Sequence, residues 1–194
     1  MDRTEDLALR ARAGDQAAYE ALFARVAERV LVYVRCRLGP QLRARVDPWD
    51  VLQETYLEAH RSLARFQGGG EGAFSAWLYR IAENRLRDLA GRWSTQKRQA
   101  AGGEVHATDV VSRLRAQETG PSTGCARQEE NERLVQAIDQ LEPQEREALL
   151  LRFFQGRTLE EIASALATSE RSVRRLLGQA QVKLGGLLER GGPG

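Results

Sequence analysis

Thr158-Leu159-Glu160-Glu161-Ile162-Ala163 opens the stretch that decides the fold of this 194-residue chain. Threonine followed three residues later by glutamate is a capping box. The Thr158 hydroxyl can accept from the Glu161 backbone N–H while the Glu161 carboxylate reaches back to the Thr158 N–H. The short helix it starts carries Leu159, Ile162, Ala163 and Leu166 on one side. A turn, Ala167-Thr168, leads to Ser169, a second N-cap, and then to Glu170-Arg171-Ser172-Val173-Arg174-Arg175-Leu176-Leu177. At 100° per residue, Val173, Leu176, Leu177 and Ala180 fall on one face, with Arg171, Arg174, Arg175 and Gly178 opposite. Two short capped helices joined by a tight turn form a helix-turn-helix pattern. An arginine stripe opposite an apolar stripe suits a major groove, where arginine grips phosphates or pairs with guanine edges.

Working outward, charge supports a C-terminal module. Residues 129–161 hold nine acids and four bases, whereas residues 170–183 hold four bases and one acid. The whole chain has a net charge of only +2. Its 29 basic residues include just two lysines, Lys97 and Lys183. Mean hydropathy is −0.49, and no apolar run is long enough to span a membrane. The first residues, Met1-Asp2-Arg3-Thr4-Glu5-Asp6, lack a signal-peptide core, so a cytoplasmic product is expected. Two cysteines, Cys36 and Cys125, and two histidines, His60 and His106, exclude a disulfide framework and offer no close zinc-ligand pair. Neither metal nor cofactor is expected.

Almost everything else reads as helix, giving an all-α chain of two small domains on a flexible linker. Thr4 caps a helix ending at Gly14, and Asp15 caps one running to about Leu38, before Gly39-Pro40. Asp47-Pro48 starts a third helix reaching about Phe66. Gly68-Gly69-Gly70-Glu71-Gly72 reads as a loop, and a fourth helix follows from about Phe74 to Arg92. The expected domains are 1–93 and 129–188, with a linker at 94–128 and a disordered tail at 189–194. A helical turn around Val110 to Leu114 is expected inside the linker. Gly185-Gly186 weakens the last helix.

Two faces of the first domain carry candidate contacts. In the third helix, Leu52, Thr55, Tyr56, Ala59, Leu63 and Phe66 belong to the core. Opposite them stand Asp50, Gln53, Glu54, Leu57 and Arg61, which fit either a protein-docking patch or an ordinary charged face with one stray leucine. In the fourth helix, Phe74, Leu78, Ile81, Ala82 and Leu89 form the buried stripe. Beside it run Trp77, Arg80, Asn84 and Arg87, a set able to stack on a base and hold a single-strand backbone. A tryptophan packed at the core edge fits equally well. The glycine loop fails as a phosphate loop, because Gly-x-Gly-x-x-Gly breaks at Ala73 and no Gly-Lys-Ser/Thr follows. No nucleophile, base or acid pair forms a catalytic constellation, and the chain is not expected to be an enzyme.

Asp50-Val51-Leu52-Gln53-Glu54-Thr55, then Phe66 and the glycine loop, then residues 74–84 resemble region 2 of extracytoplasmic-function sigma factors. Leu141-Glu142-Pro143 through Glu160-Glu161-Ile162-Ala163 to Ser172-Val173-Arg174 resembles their region 4, and residues 11–23 also fit. The resemblance covers residues 5–93 and 128–188. It implies a promoter-specificity subunit of bacterial RNA polymerase. Asp50, Gln53, Glu54, Leu57 and Arg61 would dock on the clamp coiled coil of β′. Gly69 and Gly70, in the base-capturing loop, with Trp77, Arg80, Asn84 and Arg87, would read and melt the −10 element. Ser169, Arg171, Ser172, Arg174 and Arg175 would read the −35 element. The β flap and an anti-sigma factor are further implied partners, and the linker would thread toward the polymerase cleft. The chain departs from the family at Ala167, where the turn usually carries glycine, and at Glu170-Arg171, where small residues are common. The residues alone also fit two rivals: a helix-turn-helix regulator binding duplex DNA without polymerase, and a helical enzyme.

Overall fold

The structure, a computed structural model, describes residues 4–68, 70–96, 109–118 and 124–190. It divides into two compact units, Met1–Gly120 and Pro121–Gly194. The described residues form helices and turns, with no strand among them.

The first unit holds α1 (Thr4–Arg12), α2 (Gln16–Arg43), α3 (Pro48–Ser62), α4 (Gly70–Gln96) and α5 (Asp109–Glu118). Gly14, at φ 95°, turns the chain between α1 and α2. Asp15 then caps α2 by accepting from the Ala18 N–H at 3.0 Å. α2 breaks at Gly39 (φ 62°, ψ 171°), where Pro40 denies the ladder a donor. Asp47 accepts from the Trp49 N–H at 2.9 Å, with Pro48 in the first turn of α3. After α3 a 3-10 turn, Leu63–Arg65, delivers Phe66 into the core.

The core of this unit is aromatic and aliphatic. Tyr19, Leu22, Phe23, Val26, Val30 and Tyr33 of α2 meet Leu52, Tyr56 and Ala59 of α3 and Phe74, Leu78 and Ala82 of α4. The Tyr19 hydroxyl donates to the Tyr56 carbonyl at 2.7 Å, so this buried polar group is satisfied. Phe23 and Tyr56 meet edge-on at 5.0 Å.

Two expectations change here. α4 begins at Gly70, not Phe74, so Gly70, Glu71 and Gly72 are helical rather than loop. Glu71 stands in the first turn, where the helix dipole favours an acid, and it pairs with Arg29 of α2. The segment expected to be linker contains α5, ten residues long, with Val110 and Val111 buried against α2 and α3.

The second unit holds α6 (Gly124–Asp139), α7 (Pro143–Leu149), α8 (Leu159–Ala165) and α9 (Glu170–Arg190). α7 passes into a π-helical turn, Leu150–Phe154, before Gly156 reverses the chain at φ 66°. Ala148, Leu151, Ile162, Ala163, Val173 and Leu176 form one buried cluster. Lys183 donates to both carboxylate oxygens of Glu145 at 2.8 Å, joining α9 to α7. This hydrogen bond holds the Glu145 carboxyl below its ordinary value. α9 continues through Gly185 and Gly186 to Arg190, so Glu189 and Arg190 are helical rather than tail. Half-buried Leu184 and Leu187 flank the glycines and keep that last stretch packed.

Candidate nucleic-acid and protein interfaces

The helix-turn-helix forms as local side-chain chemistry dictates. Glu161 N–H donates to Thr158 Oγ1 at 3.2 Å and Thr158 N–H donates to Glu161 Oε2 at 2.8 Å, which closes the capping box. Ser169 Oγ accepts from the Ser172 N–H at 3.2 Å and lies 3.1 Å from the Ser172 hydroxyl, capping α9. Between these caps Ala167 stands at φ 50°, in the left-handed region. Val173 and Ala180 are fully buried under α9, while Arg171, Arg174 and Arg175 are exposed. Arg174 Nη2 lies 2.8 Å from Glu170 Oε2, whereas Arg171 and Arg175 have no ion pair among the described residues. The exposed N-terminal half of α9 thus presents three guanidinium groups beside two serine hydroxyls.

Along α4, Arg80, Asn84 and Arg87 are exposed and share one edge. Trp77, at the head of that edge, is half-buried against Phe66 (5.2 Å) and Phe74 (5.7 Å). It packs at the core rim with part of its ring open to solvent. Gly68 lies under this cluster, and a Cβ there would come within 2.8 Å of the Phe66 ring and 3.0 Å of Ala73. Gly70 is the first residue of α4, and Gly69 lies outside the described residues.

Below the edge sits Glu83, which sequence reasoning missed. It is buried, accepts from the Tyr33 hydroxyl at 2.7 Å and pairs with Arg37. Arg87 Nε lies 3.4 Å from the same carboxylate. Burial alone would push the Glu83 carboxyl up, but the hydrogen bonds from Arg37 and Tyr33, with the charges of Arg37 and Arg87, bring it below its ordinary value. The i, i+4 spacing of Glu83 and Arg87 was the available signal.

On α3, Asp50 and Arg61 are exposed and Glu54 and Leu57 are half-buried. Gln53 corrects the expected exposed face: it is 2% exposed, and its Nε2 has no hydrogen-bond partner among the described residues. On the helical wheel it lies 60° from Asp50, toward Trp49 and Tyr56, and tertiary packing places that flank inside. Burial and the neighbouring Asp47 carboxylate raise the Asp50 carboxyl above its ordinary value, and Arg115 of α5 opposes them.

Comparisons with known proteins follow the same two-part order. The family model described as Sigma-70 region 2 matches residues 18–99, and the one described as Sigma-70, region 4 matches residues 131–184. The ECF RNA polymerase sigma factor BldN of Streptomyces coelicolor is 30% identical over 96% of this chain and 66% of that protein. RNA polymerase sigma factor NccH of Alcaligenes xylosoxydans xylosoxydans is 31% identical over 95% of this chain and 94% of its own length. A solved structure of CnrH in complex with the cytosolic domain of CnrY is similar at 26% identity, with a TM-score of 0.52 over 98% of this chain and all of that one. With both regions matched in order and the likeness running almost end to end, the chain belongs to the sigma-70 family of RNA polymerase sigma factors, in its extracytoplasmic-function group.

Proposed function

We propose that this sigma factor acts as a non-enzymatic promoter-specificity subunit in the cytoplasm, with each face described above assigned to one partner. The chain binds core RNA polymerase, locates a promoter and helps open it. Residues 1–93 form the polymerase and −10 domain, residues 129–188 the −35 domain, and 94–128 the connection between them. Arg171, Arg174 and Arg175, with Ser169 and Ser172, read the −35 duplex. Arg80, Asn84 and Arg87 hold the −10 strand, with Trp77 at the edge that receives an unstacked base. Asp50, Glu54, Leu57 and Arg61 dock on the β′ clamp coiled coil, and Gln53 supports that face from beneath. The β flap contacts the second domain. An anti-sigma factor is a further partner, a reading supported by the solved CnrH–CnrY complex.

The observation that carries the −35 assignment is the capped α9 with its arginines exposed opposite Val173 and Ala180. No helix among the described residues is long and apolar enough to cross a membrane. The free chain, with a net charge of +2 and one short basic helix face, makes few phosphate contacts. Its binding to a promoter duplex is therefore weak, and core polymerase is needed for tight, specific binding. Fluorescence-anisotropy titration of a promoter duplex with the chain alone and with holoenzyme tests this. Nanomolar sequence-specific binding by the chain alone at physiological salt would instead indicate a regulator that works without polymerase.

A further inference from the structure

The flank where α2 and α3 meet is already occupied by a segment of the same chain. Val110 and Val111 of α5 are 5% and 2% exposed. Around them stand two ion pairs to different helices: Arg113 Nη2 is 2.9 Å from Glu20 Oε2 of α2, and Arg115 Nη2 is 2.9 Å from Asp47 Oδ2 at the cap of α3. Asp47, Asp50 and Glu54 form an acidic ladder along the start of α3, and Arg115 is close enough to act on the first two. Ten residues are too few for a helix to stand alone in water, where about 12–15 are marginal. α5 is therefore helical because it is docked, and it would melt on leaving.

We propose that α5 competes with the polymerase for this flank: docked through Val110, Val111, Arg113 and Arg115, it holds the free chain in a state of low polymerase affinity and must detach for docking. The inference rests on the assignment of the Asp50–Glu54 face of α3 to polymerase. A partner that reads the acids of α3 meets Arg115 already paired with Asp47 and close enough to act on Asp50, which lowers electrostatic complementarity at that end of the face. If only the detached state binds, apparent affinity scales with the detached fraction, so weakening α5 tightens binding.

The test measures the affinity of full-length variants for purified core polymerase by competition. Arg113→Glu makes the chain more negative and Glu20→Arg makes it more positive, yet each breaks the same ion pair. Both single variants are expected to tighten binding, by about two- to fivefold, the size of a surface ion pair. The charge-swapped double variant restores the pair and should return to within about twofold of the parent. Val111→Asp attacks the apolar anchor and should also tighten binding. Single variants that shift affinity in opposite directions, or no tightening in any of the three, would overturn the proposal. Asp50→Arg with Glu54→Arg serves as the control. If it weakens binding while α5 variants change nothing, only the competition fails; if it leaves binding unchanged, the docking assignment itself fails.

Discussion

Arg174 Nη2 sits 2.8 Å from Glu170 Oε2, one turn back along α9, so one of the three exposed arginines proposed to read DNA carries its own acid. An exposed i, i+4 pair contributes only about 0.3–0.5 kcal/mol, small against a bidentate guanine contact of about 1–3 kcal/mol. On the proposed reading, this pair leaves Arg174 available to DNA. Arg171 and Arg174, nearer the helix N-terminus that enters the groove, are the expected base readers.

Alanine at Arg171 or Arg174 is expected to cost about 1–3 kcal/mol at one −35 position and relax preference there. Alanine at Arg175 is expected to weaken binding to all sequences alike and reduce the salt slope by about one. A −35 mutational scan with each variant holoenzyme separates the two behaviours. Three variants that transcribe every promoter like the parent would remove α9 from the reading of DNA.

Reversing charge on α3 separates docking from folding. Asp50→Arg with Glu54→Arg is expected to lower core affinity by about tenfold or more, through like-charge juxtaposition with the surface that meets the acids. Asp50 also favours the helix dipole in the first turn, so stability should fall by no more than about 1 kcal/mol. Competition for core, with circular dichroism to confirm folding, checks both.

Ala167 stands at φ 50°, where an L side chain is strained and glycine is not. Ala167→Gly is expected to stabilise the second unit by about 0.5–1 kcal/mol, the relief of strain slightly exceeding the added freedom of the unfolded chain. Amide exchange protection in α8 and α9 should rise accordingly. Reduced protection would show that the turn tolerates alanine without cost.

Glu83 gives the first unit a dependence on acid. Its carboxyl holds a proton less tightly when folded than at its ordinary value of 4.5. The associated stability is full above that value and disappears as pH falls through the lower folded value. Glu83→Gln should cost about 1.5–3 kcal/mol at neutral pH, the range for hydrogen bonds to a charged group. It should also flatten the loss of stability below pH about 4.5. All three tryptophans, Trp49, Trp77 and Trp93, lie in this unit, so their fluorescence during urea unfolding at several pH values reports it.

What was legible in the sequence was chemistry that acts over one helical turn. The Thr158–Glu161 box, the Ser169 cap and the Asp47-Pro48 start all depend on neighbours within three residues, and each forms. Gln53 lies at the boundary of two faces on the helical wheel, and only packing from other elements decides that such a position is buried. Glycine disfavours helix interiors, so the sequence around Gly70 reads as loop, yet a first turn held by an ion pair between Glu71 and Arg29 tolerates it. Of α5 only a helical turn around Val110 to Leu114 is legible, because its two buried valines are adjacent and its other anchors, Glu20 and Asp47, lie far away in sequence. Glu83 gathers Tyr33 and Arg37 from α2, some 50 and 46 residues distant, which no local pattern announces.

The most direct measurement is run-off transcription from a cognate promoter by purified core polymerase, with and without this chain. The expected result is promoter-specific transcript that appears only when the chain is added. It should depend on the −10 and −35 sequences, and the Asp50→Arg, Glu54→Arg variant should lose it. Specific duplex binding with no transcript from any promoter the chain occupies would contradict its role as the specificity subunit.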